Sequence, residues 1–160
     1  MRPRYDRTEP VWNFLKFFKV IKYWAKDKYG LTTPELELLF FIYSEGLFGK
    51  TDFERFTEIY AWDKSRFKDL LKRGWIVRWR NAQKGEKALY EISRKGKHAV
   101  TTFYKKLTGT PVSERGAFTP MFAKRNASFS DKIYRKEIMK MNKEYRERTL
   151  DNGKPPNLTR

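Results

Sequence analysis

Apolar residues recur at helical spacing along the first half of the chain. The first such stretch covers residues 10–29, where Pro10 suits the first helical turn and Gly30 suits the C-terminal cap. Its apolar side chains cover an arc of roughly 200°, wider than the ~100° stripe of an ordinary surface helix. This width predicts either a helix sunk in its own core or a helix shared with a second subunit or partner.

Three further helices follow, each with a start signal of its own. Thr33 is the expected cap of the second helix, which has Pro34 in its first turn and ends near Gly46. Thr51 and Glu54 form an expected capping box at the start of the third helix. Asp63 is the expected cap of a fourth helix over residues 64–73.

The pattern then changes to that of a β-hairpin. Residues 75–80 and 88–92 are rich in aromatic and β-branched side chains and flank a polar turn, which predicts two antiparallel strands. Trp75 and Trp79 share one face of the first strand, and we expect both in the core, with a stacking platform for bases as the alternative. Ser93 is the expected cap of a helix that ends near Leu107.

The C-terminal third is predicted to be an irregular arm followed by a single helix. Residues 109–129 contain two glycines and two prolines and have little periodicity. Residues 130–148 carry apolar side chains at steps of four, three and four, which is typical of helices that pair. Ser130 is the expected cap of this helix, and residues 151–160 are predicted to be a frayed tail.

Four helices followed by strand, turn, strand and helix form the element order of a winged helix-turn-helix domain. Over roughly residues 10–108 the chain resembles the MarR-type family of winged-helix regulators. The resemblance is carried by Leu31-Thr32 with Leu38-Leu39, by the run from Leu70 to Arg78, and by Ile92-Ser93-Arg94-Lys95-Gly96. We therefore predict a mainly α fold with a small β-hairpin wing: a winged-helix domain over residues 1–108 and a C-terminal arm and amphipathic helix over 109–160 that serves assembly.

Charge is concentrated beside the predicted hairpin. The chain has 36 basic and 19 acidic residues, for a net charge of +17. Residues 63–108 alone hold 14 basic and 4 acidic side chains, whereas residues 31–62 hold 2 and 6. Such a local excess is typical of a face that binds a polyanion, and it predicts strongly salt-dependent binding.

The resemblance implies which cations contact nucleic acid. The helix 64–73 would enter the major groove of duplex DNA, and the wing 76–92 would contact the minor groove or its phosphates. The expected contact residues are Lys64, Ser65, Arg66, Lys68, Lys72, Arg78, Arg80, Lys84, Lys87, Arg94, Lys95 and Lys97.

The first and last helices are the expected surfaces for a homodimer or a larger protein assembly. A dimer would match two-fold related half-sites on DNA. The expected interface residues are Trp12, Phe14, Phe17, Phe18, Ile21, Trp24, Tyr134, Ile138, Met141 and Tyr145.

Composition argues against several classes of protein. The chain has no cysteine and one histidine, so we expect no metal, no cofactor and no enzymatic activity. No stretch approaches the ~20 apolar residues that span a bilayer, and the N-terminus lacks the apolar run of a signal peptide. We expect no membrane partner and a cytoplasmic, nucleoid-associated location, or the virion if the protein is viral.

Three functions are consistent with these patterns. The first is a MarR-like transcriptional regulator that binds double-stranded DNA. The second is a structural or architectural component of a virion or nucleoprotein particle, which reuses the winged helix for protein contacts or for non-specific nucleic-acid contacts. The third is an RNA-associated protein of the same fold. A ratio of specific to non-specific affinity near one would exclude the transcriptional regulator.

Overall fold

A computed structural model describes residues 13–60 and 65–152. The described residues form six α-helices and one two-stranded antiparallel sheet, which confirms the prediction of a mainly helical chain with a small hairpin. The elements are α1 (Phe18–Tyr29), α2 (Thr33–Glu45), α3 (Lys50–Tyr60), α4 (Ser65–Lys72), β1 (Ile76–Arg80), β2 (Leu89–Ile92), α5 (Arg94–Leu107), a short 3₁₀ helix (Pro120–Phe122) and α6 (Phe129–Asn152).

The chain divides into two compact units. Tyr29–Thr102 make one, which we call the hairpin unit; the residues up to Lys28 and from Phe103 onward make the other, the flanking unit. This division differs from the predicted boundary after residue 108, which left the first helix with the hairpin. The physical reason is aromatic packing, because Tyr23 of α1 stacks on Tyr134 of α6 with ring centroids 3.9 Å apart.

Hydrogen bonds at the helix starts of the hairpin unit correct two predicted caps. Thr32, rather than Thr33, caps α2: its hydroxyl accepts from the Glu35 amide, and the Glu35 carboxylate accepts from the Thr32 amide at 2.8 Å. The α3 helix begins at Lys50, and the Asp52 carboxylate accepts from the Gly49 amide at 2.8 Å, so Thr51 is not its cap. The predicted cap Asp63 lies outside the described residues.

The sheet of the hairpin unit gains a third short segment from the loop between α2 and α3. Phe48 exchanges two backbone hydrogen bonds with Tyr90 of β2, with donor–acceptor distances of 3.0 and 2.8 Å. β2 therefore has Phe48 on one side and β1 on the other. Beneath it lies an apolar core that includes the fully buried Phe53 and Leu70.

The two tryptophans of the hairpin differ in burial, which corrects the prediction for one of them. β1 begins after Trp75, and alternation from its buried first residue, Ile76, turns Trp79 outward. Arg78 pairs with Tyr90 and Arg80 pairs with Leu89, so Trp79 lies at a bulge and has no partner on the opposite strand. Trp75, just before β1, is buried as predicted, with 1% of its surface exposed, but Trp79 is 53% exposed.

The return from the hairpin to α5 depends on a close approach between backbone segments. Ser93 caps α5 as predicted, since its hydroxyl accepts from the Gly96 amide at 3.0 Å. A Cβ atom at Gly96 would lie 2.5 Å from the Ile92 side chain and 3.0 Å from the Trp75 carbonyl oxygen. Only glycine therefore allows α5 to pack this closely on the base of the hairpin.

In the flanking unit, α6 starts and ends differently from the prediction. Its first residue is Phe129 and its cap is Ser128, whose hydroxyl accepts from the Asp131 amide at 3.1 Å, so Ser130 is not the cap. The helix continues to Asn152 rather than 148. At the other end of the chain, α1 begins at Phe18, and the residues just before it form turns rather than the helix predicted from residue 10.

Candidate nucleic-acid interface

The fourth helix, α4, presents a short and only weakly cationic face. Its spacing places Ser65, Lys68, Asp69 and Lys72 together on the exposed side, while Phe67 and Leu70 are buried. With eight residues, α4 makes little more than two turns. Lys64, predicted to contact DNA at its start, lies outside the described residues.

The flank of α4 is held by a buried carboxylate. Glu35 of α2, with only 4% of its side chain exposed, accepts from Arg73 at 2.9 Å and from Arg66 at 3.3 Å. Arg73 also pairs with Asp69 at 3.0 Å and donates to the Gly30 carbonyl at 2.7 Å. Although burial opposes its charge, these contacts raise the pKa of Arg73 above the usual value. Arg66, predicted as a DNA contact, is thus engaged in positioning α4.

The hairpin carries exposed cations around a tight tip. Gln83 and Glu86 exchange two backbone hydrogen bonds of 2.9 Å, which closes the turn at Lys84 and Gly85. Gly85 has a φ of 81°, a conformation that favours glycine. Lys84 and Lys87 are exposed at this end of the hairpin.

The two arginines of the hairpin differ in the number of contacts that their guanidinium groups make. Arg78 is exposed and makes one weak hydrogen bond to the Asn81 side chain at 3.4 Å. Arg80 is half-buried, pairs with Glu86 at 3.2 Å, and donates to the Lys87 carbonyl at 3.2 Å. Arg78 is therefore the arginine of the hairpin that an anion reaches more directly.

Tyr90 brings α4 and the hairpin next to each other. The ring of Phe67, from α4, meets the Tyr90 ring edge-on with centroids 4.8 Å apart. The guanidinium carbon of Arg78, from β1, lies 5.7 Å from the centroid of the same ring. One buried side chain therefore contacts both α4 and the hairpin.

The start of α5 adds cations that are mostly engaged. Lys95 donates to the carbonyl of Arg73 at 3.3 Å, and its ammonium lies 4.1 Å from the Trp75 ring centroid. Lys97 pairs with Glu91 at 3.5 Å. Arg94 is exposed.

Nine of the predicted contact residues fall into two groups. Arg66, Arg80, Lys95 and Lys97 are held by neighbouring carboxylates or carbonyls. The side-chain charges of five others make no hydrogen bond or ion pair to a described residue: Lys68, Lys72, Lys84, Lys87 and Arg94.

No family model, curated protein or solved structure matches this chain. The function of this chain must therefore be inferred from the geometry of the interface.

Most of the residues predicted to form an assembly surface pack inside the chain itself. Six of its ten residues are buried in the folded monomer: Phe17, Ile21, Trp24, Ile138, Met141 and Tyr145. Phe17, just before α1, meets Tyr145 edge-on at 5.6 Å, and Tyr23 of α1 stacks on Tyr134, so α6 packs against the first helix of its own chain. In this fold these six cannot form an oligomer interface. Phe14, Phe18 and Tyr134 are half-buried, and Trp12 lies outside the described residues.

Sequence reasoning missed a second exposed cationic surface, on α6. Lys132, Lys136, Lys140 and Lys143 lie on one side of this helix and are exposed. No described acidic side chain lies within ion-pairing distance of them, although Glu147 follows one turn later on the same side. Their regular spacing, away from the apolar stripe, is visible in the sequence.

Residues 13–60 and 65–152 give little support to a metal site or a membrane-spanning helix. No group of three or more histidine, aspartate or glutamate side chains is arranged there to hold a metal ion. His98, the one histidine, is exposed on α5. None of the described helices is both long and apolar enough to cross a membrane.

Proposed function

We propose that this chain is a winged-helix protein that binds duplex DNA through α4 and the hairpin, in the manner of the MarR-type regulators that its sequence resembles. The observation that carries the proposal is the packing of Phe67 and Arg78 on the same Tyr90 ring. Because both elements pack on this ring, we expect one polyphosphate to reach the exposed lysines of α4 and those of the hairpin.

The element order of the hairpin unit supports the proposal. Helix, short strand, two helices, hairpin and helix follow one another from α2 to α5, and Phe48 supplies the short strand beside β2. In a winged helix this order sends α4 toward the major groove and the hairpin toward the flanking minor groove. We expect binding rather than catalysis, with phosphate contacts dominating the affinity.

The test is a comparison of two charge-neutralised variants. In the first, Lys68, Lys72, Lys84 and Lys87 are changed to glutamine; in the matched control, the four lysines of α6 are changed. Binding of each to a random-sequence duplex is measured by fluorescence anisotropy across a salt series. Because each phosphate contact contributes about 0.9 to the slope of log K against log salt, we expect the loss of four lysines to flatten this slope by up to about 3.6.

The control defines what would overturn the proposal. We expect the α6 variant to keep most of the wild-type affinity and slope. Wild-type behaviour in the variant of the hairpin unit, with both variants folded by circular dichroism, would rule out the proposed interface. A selection of binding sites from a random library then tests regulation, since a ratio of specific to non-specific affinity near one excludes a regulator.

A second candidate is an architectural component of a virion or nucleoprotein particle. Two observations favour it. The residues outside 29–102 hold 22 basic and 9 acidic side chains, against 14 and 10 within that range. In addition, the stripe predicted to join two subunits of a dimeric regulator is buried in the single chain. A larger loss of affinity in the α6 variant than in the hairpin-unit variant would favour this candidate.

A further inference from the structure

One large aromatic side chain of the hairpin is turned outward. Trp79 has 53% of its surface exposed, whereas Trp24 and Trp75 have 1% each. Among the residues that the structure describes, no aromatic ring or cation packs against its indole. A tryptophan left open in this way presents a flat, apolar π-surface to solvent.

Trp79 lies at a bulge in β1, as the extra residue between the paired positions Arg78 and Arg80. Val77, Arg78 and Trp79 are all exposed. Bulges are a recurrent means of re-aiming a side chain at a functional surface.

The neighbours of Trp79 indicate which ligand would cover it. Arg78, which precedes it in β1, is exposed, and Lys84 and Lys87 are exposed nearer the tip of the hairpin. A ligand that satisfies both the flat indole and these cations must combine a planar face with negative charge. A nucleotide does so, because its base stacks on an aromatic ring while its phosphate pairs with a cation.

A base in an intact duplex has no free face, since its neighbours stack on both sides. We propose that Trp79, with Arg78 beside it, binds an unpaired or unstacked base of a nucleic-acid strand. The inference rests on the proposed function and adds a preference to it: the chain favours nucleic acid that has an extruded or single-stranded base over a fully paired duplex. The base face is the same in DNA and RNA, so both are included in the test.

The experiment uses three labelled probes at one salt concentration: a fully paired duplex, the same duplex with one unpaired thymine at its centre, and its RNA counterpart with one unpaired uracil. Wild-type protein is compared with Trp79→Ala and Trp79→Phe. The control is Phe118→Ala, because Phe118 is exposed to a similar extent, 59%, in the flanking unit.

We expect the wild type to bind the DNA with the unpaired base about tenfold more tightly than the paired duplex, as one stacked base contributes. Trp79→Ala should abolish this preference while changing affinity for the paired duplex less than twofold. Trp79→Phe should keep most of the preference, and Phe118→Ala all of it. A preference for the RNA probe alone, lost in Trp79→Ala, would assign the site to RNA.

Two results would count against the inference, and they can be told apart. If wild type and Trp79→Ala show the same preference for the unpaired base, or if neither shows one, Trp79 does not bind the base, but the proposal of duplex binding stands. If wild type shows no salt-dependent binding to any of the probes, both the proposed function and the role of Trp79 are wrong.

Discussion

The two units of the chain arrange their unpaired cations differently. In the hairpin unit, carboxylates such as Glu35 and Glu86 are drawn into ion pairs, and the unpaired cations are divided among α4, the hairpin and the start of α5. In the flanking unit, Lys16 and Lys124 are paired as well, whereas four lysines in a row along α6 have no partner among the described residues. A count of charged residues along a sequence therefore does not show which cations are unpaired.

The units also differ in what fixes their functional elements. A buried ion-pair cluster around Glu35 holds α4 in the hairpin unit. Stacked aromatic rings and one buried amide, that of Asn142, hold α6 and the arm in the flanking unit. This contrast predicts that damage to the first kind of contact affects binding, whereas damage to the second affects only stability.

The largest effect is expected for Glu35→Ala. The change removes the capping box of α2 and leaves Arg66 and Arg73 without their shared carboxylate. We expect the free energy of unfolding to fall by about 2 to 3 kcal/mol. This is at the low end of the loss typical of a broken buried ion pair, because both guanidinium groups still reach water. Urea denaturation measures the loss, and duplex binding by the folded fraction should also weaken because α4 loses its support.

Glu45→Ala, at the exposed end of α2, is the matched control and should change stability by less than about 0.5 kcal/mol. Full DNA affinity in a destabilised Glu35→Ala protein would contradict the positioning role of Glu35.

A somewhat smaller loss of stability is expected for Asn142→Ala in the flanking unit. The Asn142 amide is fully buried, accepts from the Val112 amide at 2.9 Å and donates to the Val112 carbonyl at 2.7 Å. Its removal leaves two buried backbone groups unpaired, at a cost of about 2 kcal/mol. Urea denaturation should show this loss, and affinity for duplex DNA should stay within twofold of wild type.

The exposed Asn126 provides the control, since Asn126→Ala should alter neither quantity. If Asn142→Ala weakened DNA binding as strongly as Glu35→Ala does, the contrast between the two units would disappear.

The smallest effect concerns the pH dependence of the flanking unit. The Tyr23 hydroxyl donates to Asp131 at 2.6 Å, and with Lys124 at 3.5 Å it holds the pKa of this carboxyl below its usual range. The stabilisation is therefore present above about pH 4, the pKa of the unfolded chain, and is lost as pH falls through the lower folded value. Asp131→Asn should lower stability by about 1 kcal/mol at pH 7 and by less at pH 3.

Thermal unfolding at the two pH values tests this, with Glu147→Gln, an exposed change on the same helix, as the control. A difference from wild type that did not shrink at low pH would show that the ionised Asp131 is not the stabilising form.

The sequence was sufficient for the order and type of the elements but not for their details. Helix starts were misplaced where two capping residues compete, as Thr32 does with Thr33 and Ser128 with Ser130. The choice between them depends on the helical phase that buries the apolar face, which tertiary packing decides.

The candidate site was predictable in part, for a related reason. The position of the cationic hairpin followed from its aromatic and β-branched content, but the start of β1 after Trp75 did not, so Trp79 was expected in the core beside Trp75. The pairing of Arg66 with Glu35 joins residues 31 positions apart and has no local signal in the chain. The apolar stripe of α6 correctly indicated a helix partner without indicating that this partner is in the same molecule.

Because Phe48 covers one side of β2, β1 is the outer strand of the small sheet in the described part of the chain. An outer strand is open to pairing with a strand from another molecule, which leads to aggregation. The bulge and the arginines at positions 78 and 80 make this edge irregular and positively charged, and both features discourage such an addition. The bulge that carries an exposed indole thus also helps to keep concentrated protein from forming intermolecular sheets.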